Sequence, residues 1–154
     1  RSGDGSTRRA VRQPLKIVIV AVGRMRDRHL AAVCDDYLAR ARRHLPVEIV
    51  EVEDDAALIR RIPAAAEVIA LEAGGEAWDT AKLTAYVQDS MVHGRKTVAF
   101  LIGGSDGLPK AAVARAARRL SLSPMTLPHR LARVIVCEQI YRALSIIKGE
   151  PYNR

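Results

Sequence analysis

The sequence predicts an α/β domain built on a mostly parallel sheet. Three observations carry this. Apolar, β-branched runs alternate with amphipathic stretches along nearly the whole chain. The first run, LKIVIVAV at residues 15–22, is apolar throughout, as in a strand buried on both faces. Glycines and helix-capping acids mark the changeovers. A chain of 154 residues fits one domain with a real core.

Residues 1–14, RSGDGSTRRAVRQP, are polar, basic and aperiodic, and are expected to be a disordered extension or a non-native remnant; the domain proper is expected over 15–154. After the first strand comes Gly23, then Asp27 as cap of a helix whose apolar positions are Leu30, Val33, Tyr37, Leu38 and Ala41. PVEIVEVE at 46–53 alternates loosely enough for a second, more exposed strand. A short helix is expected from Asp54, interrupted near Pro63. EVIALE at 67–72 is a third strand, and AGGEAW a turn. Asp79 or Thr80 caps a helix that stops at Gly94. KTVAFLIG at 96–103 is a fourth strand, Pro109 opens a helix reaching Leu120, and MTLP is a short fifth strand. The last helix, about 131–148, is apolar on two sides. Leu131, Val134, Ile135 and Tyr141 form one, and Val136, Ile140, Leu144 and Ile147 the other. It therefore calls for the sheet on one side and a second subunit on the other.

Composition narrows the function. With 49% hydrophobic and 27% charged residues the chain reads as soluble, and no apolar run is long enough for a membrane span or a signal peptide. The formal net charge is +8. From residue 122 onward, Arg130, Arg133, Arg142, Lys148 and Arg154 face only Glu138 and Glu150. Such an excess fits a polyanionic partner or simply a solvated basic surface. Cys34 and Cys137 sit in apolar helical patterns away from any metal-ligand spacing; they read as buried structural thiols of a reducing cytoplasm. Neither a metal cluster nor a Ser-His-Asp arrangement is visible.

The chemistry-bearing residues concentrate in the last third. Gly103, Gly104 and Gly107 follow a buried strand, where glycine admits close approach of a ligand or simply a tight turn; their spacing is not that of dinucleotide binders. His129 follows Pro128, open to a capping role or to proton chemistry, whereas His29, His44 and His93 read as helix-surface bystanders. Arg133, Tyr141 and Arg142 lie on the last helix, for salt bridges or RNA phosphate.

Taken together, LIGGSDGL at 101–108 and SLSPMTLPHRLARVIVCEQIYRALSIIKGEPYNR at 121–154 closely resemble the RlmH family of SPOUT methyltransferases, and the resemblance extends back to Leu15. It implies a single-domain SPOUT fold with a C-terminal trefoil knot. It also implies S-adenosylmethionine as cofactor and methylation of N3 of a pseudouridine in 23S ribosomal RNA of the large subunit. Further implications are a homodimer that engages the ribosome without metal or membrane. Leu71, Gly103, Leu122, Ser123, Pro124, Met125, Thr126 and Leu127 would wall the cofactor pocket, with Pro124 unable to give an N–H to adenine. Arg142, Tyr152 and Arg154 are the expected catalytic residues. The family commonly ends Pro-Tyr-His-Arg, but Asn153 stands here, and asparagine takes no proton at neutral pH. A SPOUT enzyme acting on transfer RNA and a non-catalytic RNA-binding module are the competing readings.

Overall fold

The computed structural model describes residues 14–153; the expected extension before Pro14 and the terminal Arg154 lie outside the described residues. Strands and helices alternate as β1 (Lys16–Val22), α1 (Arg28–Ala41), β2 (Val47–Val52), α2 (Asp55–Arg61), β3 (Glu67–Ala77), α3 (Thr80–Val92), β4 (Thr97–Ile102), α4 (Lys110–Arg115), β5 (Arg118–Ser121) and α5 (His129–Ile147). The sheet runs in the order β2-β1-β4-β3-β5 with every pairing parallel. All strand carboxyl ends therefore meet at one edge, and the strand order reverses between β1 and β4.

The apolar runs explain the layering. In β1, Ile17, Ile19 and Ala21 join the core under α1, α3 and α5, while Val18 and Val20 join the smaller core under α2 and α4. Phe100 and Val98 of β4 point to the first layer, and Leu101 and Ala99 to the second. β2 lies at an edge, consistent with its looser pattern. Asp27, Asp54 and Asp79 each cap a helix by accepting backbone N–H bonds, worth about 1 kcal/mol apiece. α2 stops at Arg61 because Ile62, preceding Pro63, takes an extended conformation.

Several expectations fail. AGGEAW is not a turn: β3 runs on to Ala77 with a shift in pairing to β5 between Leu71 and Glu76. A β-carbon at Gly75 would stand 2.8 Å from the Arg119 carbonyl, so glycine is what allows the strand to rejoin β5. The helix opened by Pro109 ends at Arg115, and Arg118–Ser121 forms the fifth strand. Ala117 N–H bonds to Val68 O at 2.8 Å, starting a ladder that overrides the local helical preference of this Ala-Arg stretch. MTLP is consequently a connector rather than a strand. On α1, Val33 is exposed and Cys34 takes the buried position in its place.

On α5 the apolar division also differs. Tyr141 is buried beside Tyr37, while Leu131 is exposed and Val134 and Ile135 are half-buried. Arg133, expected on the surface, is 2% exposed. It donates to Glu51 Oε2 at 2.5 Å and to the carbonyl of Gly23 at 2.9 Å. Cys34 and Cys137 are free thiols in hydrogen-bond contact between α1 and α5; the contact with Cys34, then burial, pushes Cys137 upward.

Candidate active site

A cleft of about 170 Å³ opens at the carboxyl ends of β3, β4 and β5. Leu71 gives it one wall, Ile102, Gly103 and Gly104 its floor, and the 120–127 segment the opposite wall, with His129 and Ala132 of α5 closing it. Of the residues expected around the cofactor, Leu71, Gly103, Leu122, Ser123, Met125, Thr126 and Leu127 line this cleft together; Pro124 is exposed outside the lining. The wall after β5 is ordered by its own serines. Ser121 Oγ donates to Ser123 O at 3.1 Å, and Ser123 Oγ accepts from Met125 N at 2.9 Å. The lining is mainly aliphatic side chain and main chain, suited to a flat heterocycle held by backbone groups.

The glycine loop is a turn that folds on itself. Gly107 N–H donates to Gly104 O at 3.0 Å, and Gly107 has φ +81°. A β-carbon at Gly103 would lie 2.3 Å from the Gly107 carbonyl carbon, so only glycine lets the strand end and the turn meet. The close approach is to the protein's own backbone as well as to whatever enters the cleft.

Of the expected catalytic residues, Arg142 and Tyr152 form a second cluster where the tail returns to α5, and Arg154 lies outside the described residues. Glu138 is its centre: it accepts from Tyr152 Oη at 2.7 Å and pairs with Arg142 at 2.8 Å. Arg142 also donates to Asn153 Oδ1 at 2.9 Å and lies over the Tyr152 ring. The bond to Glu138 raises Arg142 further, and burial, with Glu138 next, raises the Tyr152 phenol. Both therefore keep their protons at neutral pH: Arg142 as a cation, Tyr152 as a donor. Tyr141 donates to Glu150, and His44 Nε2 lies 3.0 Å from Glu150 Oε1, so His44 faces the tail and not open solvent. Glu138 was missed in the sequence, although its spacing of four from Arg142 is an ordinary helix pair.

Within one chain these two clusters stand apart. Ala132 lines the cleft and Arg142 lies ten residues further along α5, roughly 15 Å at 1.5 Å per residue. Among the described residues no group of three or more His, Cys, Asp or Glu could hold a metal ion, and no helix is long and apolar enough to cross a membrane.

A parallel sheet of this order, with a glycine turn and a wrapped segment forming a cleft at its carboxyl edge, defines a methyltransferase domain of the SPOUT class, and the family described as "Predicted SPOUT methyltransferase" matches residues 15–153. A ribosomal RNA large subunit methyltransferase H from Sorangium cellulosum (strain So ce56) is 45% identical over 143 residues, covering 90% of this chain and 99% of its own. One of that name from Rubrobacter xylanophilus (strain DSM 9941 / JCM 11954 / NBRC 16129 / PRD-1) is 41% identical, covering 90% and 98%. A solved probable methyltransferase from Bordetella pertussis Tohama I shares the fold, with a TM-score of 0.51 at 14% identity over 86% of this chain and 95% of that one. The chain belongs to the ribosomal RNA large subunit methyltransferase H family.

Proposed function

We propose that this protein methylates N3 of a pseudouridine in 23S ribosomal RNA of the large ribosomal subunit, using S-adenosylmethionine, in the cytoplasm. The cleft carries the reading: aliphatic side chains of Leu71, Leu122 and Leu127 face the main chain of Gly103 and Gly104, a lining that fits adenine without any metal. Membership of the family brings ribosomal RNA, and the sequence resemblance brings the N3 position. When bound, S-adenosylmethionine would supply the methyl group and leave as S-adenosylhomocysteine, with the imide proton passing to solvent water. The chain's own part is to hold the base in line and to place positive charge near the developing imide anion. Arg142 and Arg154 are the proposed sources of that charge, and Tyr152 positions the base. Asn153 serves as a hydrogen-bond partner of Arg142 and not as a base. Mass spectrometry of RNA from cells with and without the protein tests the proposal. One methyl group gained on a pseudouridine of 23S RNA is expected; a methyl on transfer RNA, or none, would overturn it.

The 15 Å separation supports a homodimer in which the tail cluster of one chain serves the cleft of the other. Exposed Leu131 with half-buried Val134 and Ile135, one helical turn further along α5, offers an apolar face, and Val33 is exposed on α1, which packs on α5. Ile135→Asp is expected to convert a dimer into monomers in sedimentation with the fold intact. Ile140 is unsuitable for this test, since it is 1% exposed in the core. A wild-type monomer at micromolar concentration would contradict the arrangement.

Glu138 is proposed as the residue that positions Tyr152 and Arg142. Glu138→Gln is expected to lower turnover on the order of tenfold or more, leaving S-adenosylmethionine affinity unchanged, because small misplacements near the reacting atoms are costly. Single-turnover assays beside calorimetry separate the two effects, and Glu138→Asp should recover part of the rate. Equal loss of cofactor affinity would place Glu138 elsewhere in the mechanism.

A further inference from the structure

The β1–α1 loop carries Gly23-Arg24-Met25-Arg26-Asp27-Arg28, and its exposure alternates. Arg24, Arg26 and Arg28 are exposed, while Met25 packs on the core and Asp27 turns in to cap α1. The loop is fastened from below. Buried Arg133 holds the carbonyl of Gly23, and Glu51 Oε2 accepts from Met25 N at 2.6 Å as well as from Arg133. Three guanidinium groups are thereby presented outward from a fixed backbone, and none makes an ion pair with a described residue.

Their position has no stabilising explanation within the chain. α1 has no acidic residue in its first turn and begins with Arg28 and His29, and α5 begins with His129 and Arg130, again with no acidic residue in the first turn. Cations at a helix N-terminus oppose the helix dipole. Asp27, the acid between them, is held low mainly by the Leu30 N–H, then by the His29 N–H and by the charges of His29 and Arg130, which places Arg130 in the same field. The loop leaves β1, and Arg130 leaves the cleft wall, at points next to the cleft. A β-carbon at Gly104 would touch Val22 at 3.4 Å, and Arg130 follows His129, which lines the cleft.

We propose that Arg24, Arg26, Arg28 and Arg130 form a rigid docking ridge for the sugar-phosphate backbone of the RNA substrate beside the cleft. The proposal rests on the methyl-transfer reading for the identity of its occupant. Arginine suits this role, since its planar fork binds phosphate oxygens in pairs. A fixed loop loses little freedom on binding, so the ridge sets the register of the RNA, and the cleft and tail handle the base.

The test compares wild type with an Arg24→Ala, Arg26→Ala, Arg28→Ala triple variant and with Arg130→Ala. Binding to purified large ribosomal subunits is measured across a salt series, and S-adenosylmethionine binding is measured separately by calorimetry. The triple variant is expected to bind subunits about tenfold or more weakly, with a salt slope shallower by about two to three. Its cofactor affinity should be unchanged. The corresponding triple lysine variant should keep the wild-type salt slope but bind more weakly than wild type, since an ammonium retains the charge without the fork. Arg60→Ala with Arg61→Ala, on α2 across the sheet, should show little change. Unchanged subunit affinity and salt slope in the triple variant would overturn the ridge while leaving the methyltransferase reading in place. A wild-type protein that binds S-adenosylmethionine but neither binds subunits nor methylates their RNA would overturn both.

Discussion

Gly103→Ala is expected to abolish S-adenosylmethionine binding, and Gly103→Val to prevent the turn from closing at all. The added β-carbon would stand 2.3 Å from the Gly107 carbonyl carbon and 2.6 Å from the Leu108 nitrogen, both backbone atoms with nowhere to retreat. Relief requires moving the 104–107 turn away from the end of β4, which opens the floor of the cleft. The cost of such overpacking is about 3 kcal/mol, and the affinity loss should exceed a hundredfold. Gly104 supplies the control, because its β-carbon would meet nothing nearer than Val22 Cγ1 at 3.4 Å and its φ is not in the left-handed region. Calorimetry and thermal unfolding of Gly103→Ala and Gly104→Ala should therefore diverge. Wild-type affinity in Gly103→Ala would remove this loop from the cofactor site.

Arg133→Leu should be strongly destabilising. The guanidinium is 2% exposed and links that helix to Glu51 of β2 and to the Gly23 carbonyl. Its loss removes the guanidinium donor from the Gly23 carbonyl and leaves Glu51 with the Met25 N–H but no opposite charge. The expected destabilisation is about 3 kcal/mol, tempered by the access Glu51 already has to water. Urea denaturation gives the number directly. Arg133→Lys should fall between, since an ammonium cannot bridge carboxylate and carbonyl with the same fork. Stability equal to wild type in Arg133→Leu would show that the buried cross-link contributes nothing net.

Local chemistry made much of this fold readable. The two-faced apolar run of β1, the three aspartate caps and Gly94, with φ +69° beyond α3, all follow from properties of the residues themselves. The failures share one cause. Residues 116–121 favour a helix in isolation, yet pairing with β3 turns them into β5, and only the neighbouring strand reveals that. The stretch after Leu71 likewise reads as a turn until β5 is present to pair with Glu76 and Ala77. For the site, the glycines are locally suggestive but ambiguous, and residues 122–127 were marked by resemblance alone. Glu51 and Arg133 are 82 positions apart, and nothing in either segment announces the other. The distance between cleft and tail was legible in principle, since it needs only the length of α5.

The thiol pair between α1 and α5 makes the protein its own reporter of local opening. Cys34 and Cys137 are 5% and 0% exposed, so a bulky alkylating reagent reaches them only when the two helices part. Modification rates under native conditions would then follow the free energy of separating these helices, independently of global unfolding. Because α5 carries both a wall of the cleft and the platform of the tail, that single rate would read how firmly the two halves of the site are held to the scaffold, and whether ligands tighten the grip.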